Sequence, residues 1–208
     1  MRNKDKQRNR VGTRKIAPPN YLIVCEGKKT EPNYFKGLKQ KINEKFENRI
    51  NIEIKGEGRN TESLVEYTKR YVNSSSKIYG QVWIVFDKDD FTDEQFNSAI
   101  RANDYYTAWS NPNFELWILS HFKQVNVEMS SKQMFKEVEL QFKKNELGKY
   151  NKNDGDIFEK LTGENRLNKA IENSKIMYES FNGGCSASNK NPATTVFLLV
   201  EDLIEYID

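Results

Sequence analysis

Two short apolar runs, each passing directly into acid, constrain this chain more than any other feature. Tyr21-Leu-Ile-Val-Cys25 leads into Glu26-Gly27, and Gln81-Val-Trp-Ile-Val-Phe86 leads into Asp87-Lys-Asp-Asp90. Runs of this length, apolar at successive positions and partly β-branched, fit strands buried on both faces, as in a parallel sheet. Such a sheet needs helices above and below it, and the intervening residues supply them. Thr30 offers an N-cap, Glu31 and Pro32 suit a first turn, and Tyr34, Phe35, Leu38, Ile42 and Phe46 recur at helical spacing. A strand at 50–55 is broken by Gly56-Glu-Gly58, and Asn60 or Thr61 then caps a helix carrying Leu64, Val65, Tyr67 and Tyr71. Thr92 or Asp93 opens a further helix with Phe96 and Ile100 on one side, before a fourth strand at 105–109.

The resulting order, β-α-β-α-β-α-β, has crossovers long enough for parallel pairing. Beyond Asn111 the pattern is helical, at 114–122, 132–144, 156–161, 167–181 and 193–207, with connections at 123–131 and 145–155. The expected fold is α/β: a Rossmann-like four-stranded parallel sheet flanked by helices, with a C-terminal helical elaboration. Residues 1–18 are expected to form a basic disordered tail, 19–122 the α/β core, and 123–208 the elaboration packed on it.

Charge is unevenly placed. In residues 1–15, seven cations against Asp5 make +6, so the rest of the chain carries −3 of the net +3. A tail with so few apolar residues cannot bury enough surface to order itself. It reads equally as an arm that follows a phosphate backbone and as a solubilising end. No apolar run approaches the roughly 18–20 residues that span a bilayer. The basic N-terminus lacks the apolar stretch of a signal peptide. Cys25 ends a strand and Cys185 lies in a Gly/Ser/Asn loop, so neither suggests a disulfide framework or a zinc site. A cytoplasmic protein with no membrane attachment is expected.

In open parallel sheets, ligands bind beyond the carboxyl ends of the strands where strand order reverses. If strands one and three are neighbours with strand two outside strand one, Glu26, Asp87 and Asp89 converge there. Mg²⁺, or Mn²⁺ in its place, takes hard oxygen ligands and needs only one or two carboxylates beside water and phosphate. The bland reading is that these acids are solvated turn residues. From spacing alone Glu31 is a first-turn acid favoured by the helix macrodipole. Glu115, in Ser110-Asn-Pro-Asn-Phe-Glu115, lies on the same rim; Pro112 at a helix start, capped by Ser110 or Asn111, explains most of that motif structurally. The helix that follows is apolar nearly all round and reads as core. His121, the sole histidine, reads as a packed structural residue rather than a base. Lys28, Lys29 and Lys88 flank the acids and are candidates for phosphate or nucleic-acid contact, with Arg59 a weaker one.

The pairing of strand-Glu-Gly with strand-Asp-x-Asp resembles the TOPRIM domain of topoisomerases, primases and the nucleases of overcoming-lysogenisation-defect type. More narrowly, Val24-Cys-Glu-Gly-Lys-Lys-Thr-Glu-Pro-Asn-Tyr-Phe35, Val82-Trp-Ile-Val-Phe-Asp-Lys-Asp89, Ser110-Asn-Pro-Asn-Phe-Glu-Leu-Trp117 and Asn191-Pro-Ala-Thr-Thr-Val196 resemble the RloB family. That family is similar to the abortive-infection protein AbiLii and is commonly paired with an ATPase partner. The resemblance implies a TOPRIM-like fold, an acid/base or metal role for Glu26, metal-ligand roles for Asp87 and Asp89, and a second-acid role for Glu31. It also draws in Lys149 and Lys152, whose Gly-Lys-Tyr-Asn-Lys segment is similar to a family block. The expected function is Mg²⁺-dependent cleavage of DNA or RNA phosphodiesters in bacterial antiphage defence. The alternative is a non-catalytic subunit that binds nucleic acid or a partner within an ATPase-containing system. A primase or topoisomerase ranks third, because no zinc-ribbon spacing accompanies the domain.

Overall fold

A computed structural model describes residues 20–45, 50–58, 61–89, 91–101 and 104–207. The basic tail 1–18, Phe46, Arg59, Asn60 and Asp90 lie outside the described residues. The elements run β1 (Asn20–Cys25), α1 (Thr30–Lys45), β2 (Asn51–Gly56), α2 (Thr61–Ser74), β3 (Gln81–Asp87), α3 (Asp93–Arg101) and β4 (Tyr106–Asn111). Then follow α4 (Glu115–Ser120), α5 (Ser131–Lys144), α6 (Ile157–Thr162), α7 (Arg166–Glu179), β5 (Ala193–Thr194) and α8 (Val196–Ile204). The fold is α/β, and the described residues form a mostly parallel five-stranded sheet in the order β2-β1-β3-β4-β5.

Strands β1 and β3 are neighbours and β2 lies outside β1, as the acidic turns require. Alternation of side chains along a strand explains the two cores. Tyr21, Ile23, Cys25, Trp83, Val85 and Ala108 face one cluster, which reaches α1 and the helices α4 to α8. Leu22, Val24, Val82, Ile84, Phe86 and Trp109 face the other, with Leu64 and Val65 of α2 and Phe96 of α3. Continuing the period along β3 places Asp87 on the same face as Trp83 and Val85. That face is covered by α1 and α4.

The expected sheet lacked its fifth strand. Periodicity places residues 193–194 in the last helix, but they pair antiparallel with Ser110 and Asn111. Thr194 Oγ1 donates to the Trp109 carbonyl at 3.1 Å, and the Trp109 amide donates to Thr195 Oγ1 at 2.9 Å. These hydroxyls hold two residues in extended form where no apolar run could signal a strand. The Ser110-Asn-Pro-Asn segment also departs from the expected helix start. Ser110 and Asn111 belong to β4, and the Pro112 carbonyl accepts from the Asp89 amide at 2.9 Å. The proline therefore staples two turns together, and α4 begins only at Glu115.

Helix α4 is buried at every position from Glu115 to Ser120, as its all-round apolarity predicts. Leu116, Trp117, Ile118 and Leu119 are fully enclosed. Each such side chain contributes about 1.5–3 kcal/mol of burial, so the helix that carries Glu115 is rigidly seated. Helix α1 meets α6 at Gly37, where a Cβ would lie 2.4 Å from Phe158 Cβ. His121 is fully buried, with Nδ1 2.9 Å from the Trp117 carbonyl and Nε2 3.3 Å from the Tyr34 hydroxyl. A carbonyl can only accept, so Nδ1 carries the proton and Nε2 accepts from Tyr34. Burial lowers the imidazole pKa to about 4, and the residue is neutral structural packing. No helix among the described residues is long and apolar enough to cross a membrane.

Candidate functional site

The carboxyl ends of β1 and β3 bring Glu26 and Asp87 together. Glu26 Oε2 accepts the Asp87 backbone N–H at 3.1 Å. The turn after β1 is held from below, because the Glu57 and Gly58 amides donate to the Cys25 and Glu26 carbonyls at 3.1 and 2.7 Å. Gly27 leaves room for the next acid. A Cβ there would lie 2.3 Å from Glu31 Oε2, and the Gly27 amide donates to Glu31 Oε1 at 3.2 Å. Glu31, in the first turn of α1, thereby folds back over the Glu26-Gly27 turn and is buried.

Asp87 sits at the centre of the group. Its Oδ2 accepts from the Phe114 amide at 3.1 Å, one residue before α4. Its Oδ1 is buried and has no hydrogen-bond partner among the described residues. Although the residue as a whole keeps some exposure, this oxygen does not. Desolvation, reinforced by the charges of Glu31, Glu115 and Glu26, pushes the Asp87 carboxyl well above the usual range. Desolvation, with the charge of Glu115, also raises Glu31. Glu115 is 2% exposed; its Oε1 accepts from the Tyr150 hydroxyl at 3.0 Å and pairs with Lys152 Nζ at 2.8 Å.

Glu26, Glu31, Asp87 and Glu115 thus form one acidic edge, with Lys152 as a cation within it. The other residues singled out in the sequence lie differently. Asp89 is exposed, with φ +22°, and its Oδ1 accepts from the Ser131 hydroxyl at the start of α5. Lys88 turns toward α3, pairing with Asp93 at 3.1 Å and donating to the Phe91 carbonyl. Lys28 and Lys29 are exposed beside Gly27, and the Lys28 stem crosses Gly58, where a Cβ would lie 2.3 Å from its Cε. Lys149 is exposed on the α5–α6 connection.

Among the described residues, no three His, Cys, Asp or Glu side chains are disposed to hold a metal ion together. The edge fits an ion that takes fewer protein ligands. Asp87 Oδ1 is a buried, unpartnered, hard acceptor surrounded by further carboxylates, and Mg²⁺ characteristically takes only one or two. A cavity of about 1230 Å³ lies elsewhere, against β2 and α1. Glu53, on its wall, is satisfied by Lys77 at 2.7 Å, Tyr79 at 2.9 Å and Tyr71. Against a cost of burial, those bonds hold its pKa down at about 2, and no acceptor of Glu53 waits for a ligand.

A family model described as RloB-like protein matches residues 21–203, from β1 into α8. The chain belongs to the RloB-like family. Comparison with curated proteins and with solved structures found no match to either. The span that makes this an RloB-like chain contains all four acids of the edge and the Lys152 segment. Sequence reasoning passed over Tyr150, Thr30 and Asn33 as parts of that edge. Thr30 was read only as a cap, yet its hydroxyl donates to the Lys152 carbonyl at 3.1 Å, and Asn33 Nδ2 donates to the Asp154 carbonyl at 3.1 Å. The polar Gly-Lys-Tyr-Asn-Lys segment was the available signal, but a connection's partner across 120 residues leaves no periodicity to read.

Proposed function

We propose that this RloB-like protein is a TOPRIM-like, Mg²⁺-dependent nuclease acting on DNA or RNA phosphodiesters in bacterial antiphage defence. The observation that carries the reading is Asp87 Oδ1, a buried carboxylate oxygen without a partner among the described residues, beside Glu26 at the carboxyl ends of the parallel strands β1 and β3. Asp87 and Glu26 would hold the ion; Asp89 joins them only by leaving Ser131. When bound, Mg²⁺ supplies charge neutralisation for a phosphate and a more acidic water.

The chain's own residues do the rest. Glu26 is oriented by the Asp87 amide and stands in place to accept or return a proton at the metal's edge. Glu31 and Asp87 strengthen one another's need for a cation, since burial without one disfavours both charges. Lys28 and Lys29, exposed on the rim, meet the backbone of an anionic polymer, and the basic tail adds a diffuse, salt-sensitive attraction. An ATPase partner supplies activation, and the cytoplasm is the compartment in which such a defence acts.

The test is divalent-ion binding and nucleic-acid cleavage by the wild type and by Glu26→Gln and Asp87→Asn. Loss of both properties in both variants is expected; undiminished cleavage in either rejects the catalytic reading. One observation favours a second reading, a non-catalytic nucleic-acid- or partner-binding subunit: Lys152 already neutralises Glu115. That reading predicts cleavage only with the partner present, surviving Glu26→Gln.

A further inference from the structure

The α5–α6 connection does more than join two helices. Four bonds draw residues 150–154 down onto the acidic edge. Tyr150 and Lys152 both reach Glu115, at 3.0 and 2.8 Å, while Thr30 and Asn33 of α1 grip the Lys152 and Asp154 carbonyls. The pair between Lys152 and Glu115 is lopsided. The glutamate side chain is 3% exposed, whereas the lysine side chain is 57% exposed and enters from solvent. An ammonium that arrives from outside onto a buried carboxylate acts as a plug. Its charge is held by Glu115, Asp87 and Glu31 together, against the cost of partial burial.

A second, independent feature gives the plug meaning. Asp87 Oδ1, in the same cluster, remains buried with no partner among the described residues while Lys152 is in place. The lysine therefore satisfies one side of the edge and leaves the other open. A divalent cation drawn to the open side repels the ammonium beside it, because two cations in a poorly solvated site do not share carboxylates without cost.

We infer that Lys152 is the resident counter-cation of the acidic edge, and that the strap at residues 150–154 gives way when a divalent cation enters. This rests on the metal-binding reading above and adds regulation to it: metal loading and strap release are one event. The strap then leaves α1 and uncovers the rim where a polymeric substrate would lie.

The test uses the full chain with Mn²⁺ as the probe, followed by calorimetry and by the loss of free-Mn²⁺ paramagnetic signal. Lys152→Met keeps the stem and removes the charge; it is expected to bind Mn²⁺ roughly tenfold more tightly or better, the scale of one charge-assisted bond. Lys152→Arg is expected to behave as wild type. Thr30→Val loosens the strap without altering any charge and keeps the proposal testable if Lys152→Met folds poorly; a several-fold gain is expected. In the wild type, hydrogen exchange at 150–154 should accelerate on adding Mn²⁺. Unchanged or weaker Mn²⁺ binding in Lys152→Met and Thr30→Val, or a strap that Mn²⁺ protects, overturns the inference while leaving the metal site standing. Absence of Mn²⁺ binding in wild type and in every variant sinks the metal reading and this inference together. Binding that appears only in Lys152→Met supports both.

Discussion

Asp87→Asn should stabilise the metal-free protein. The carboxylate has one oxygen engaged by the Phe114 amide and one buried without a partner, and the charges of Glu31, Glu115 and Glu26 bear on it. Asparagine keeps an acceptor for Phe114 and turns its amide, a donor, toward the acids. Relieving an unsatisfied buried acceptor is worth about 1–3 kcal/mol, so a gain of about 2 kcal/mol is expected at pH 8. For a chain of this size that corresponds to about 4–8 °C in Tm. The sign with pH follows from linkage. Asp87 and Glu31 have folded pKa values above their unfolded values of about 3.9 and 4.3. Their stabilising contribution is complete below those unfolded values and is lost as pH rises through the folded ones. In chelator the advantage of Asp87→Asn over wild type should therefore grow as pH rises, a difference from which the titration of His121, common to both proteins, cancels. Thermal melts in chelator from pH 5 to 8.5 measure this. Repeating them with Mg²⁺ at about 100 times its Kd should return about 2.7 kcal/mol to wild type and little to the variant. A variant less stable than wild type at pH 8 in chelator would refute the account of Asp87 as a carboxylate kept waiting for a cation.

Gly27→Ala should push the Glu31 carboxylate out of its fold-back, so its carbon-detected NMR titration should fall toward the ordinary carboxylate range; an unchanged midpoint rejects the clash. His121 has a folded pKa of about 4, below its unfolded value, so its contribution is present above about pH 6.5 and lost as pH falls through the folded value. That amounts to roughly 3 kcal/mol across the acid limb, which His121→Phe should flatten in denaturant titrations at pH 4–7, without touching divalent-ion binding. Gly37→Ala should cost about 1–3 kcal/mol by forcing α1 away from Phe158, and a loss under 0.5 kcal/mol would mean that the helices slide apart freely.

What the sequence disclosed and what it withheld follow from how far each interaction reaches. Strands β1 and β3 were legible because burial on both faces writes an unbroken apolar run, and their acidic ends located the edge. The alternation that sends Asp87 toward α1 and α4 is likewise local. The partner of Lys88 was not legible: the residue adjoins two acids in sequence but turns away, to Asp93. Asp89 follows the same rule, since a left-handed φ redirects its side chain to Ser131. Strand β5 consists of two residues held by threonine hydroxyls, too short for any period to register. Helix α4 was recognised as core from its composition. That Glu115 at its start meets Tyr150 and Lys152 depends on a connection closing over α1, which no residue spacing encodes.

The acid at position 26 is aimed by a main-chain amide, that of residue 87. Every amino acid except proline carries that amide, so exchanging the side chain at 87 leaves its neighbour's anchor in place. The two positions can therefore be dissected separately, and a non-additive double variant would report on something both had been holding between them.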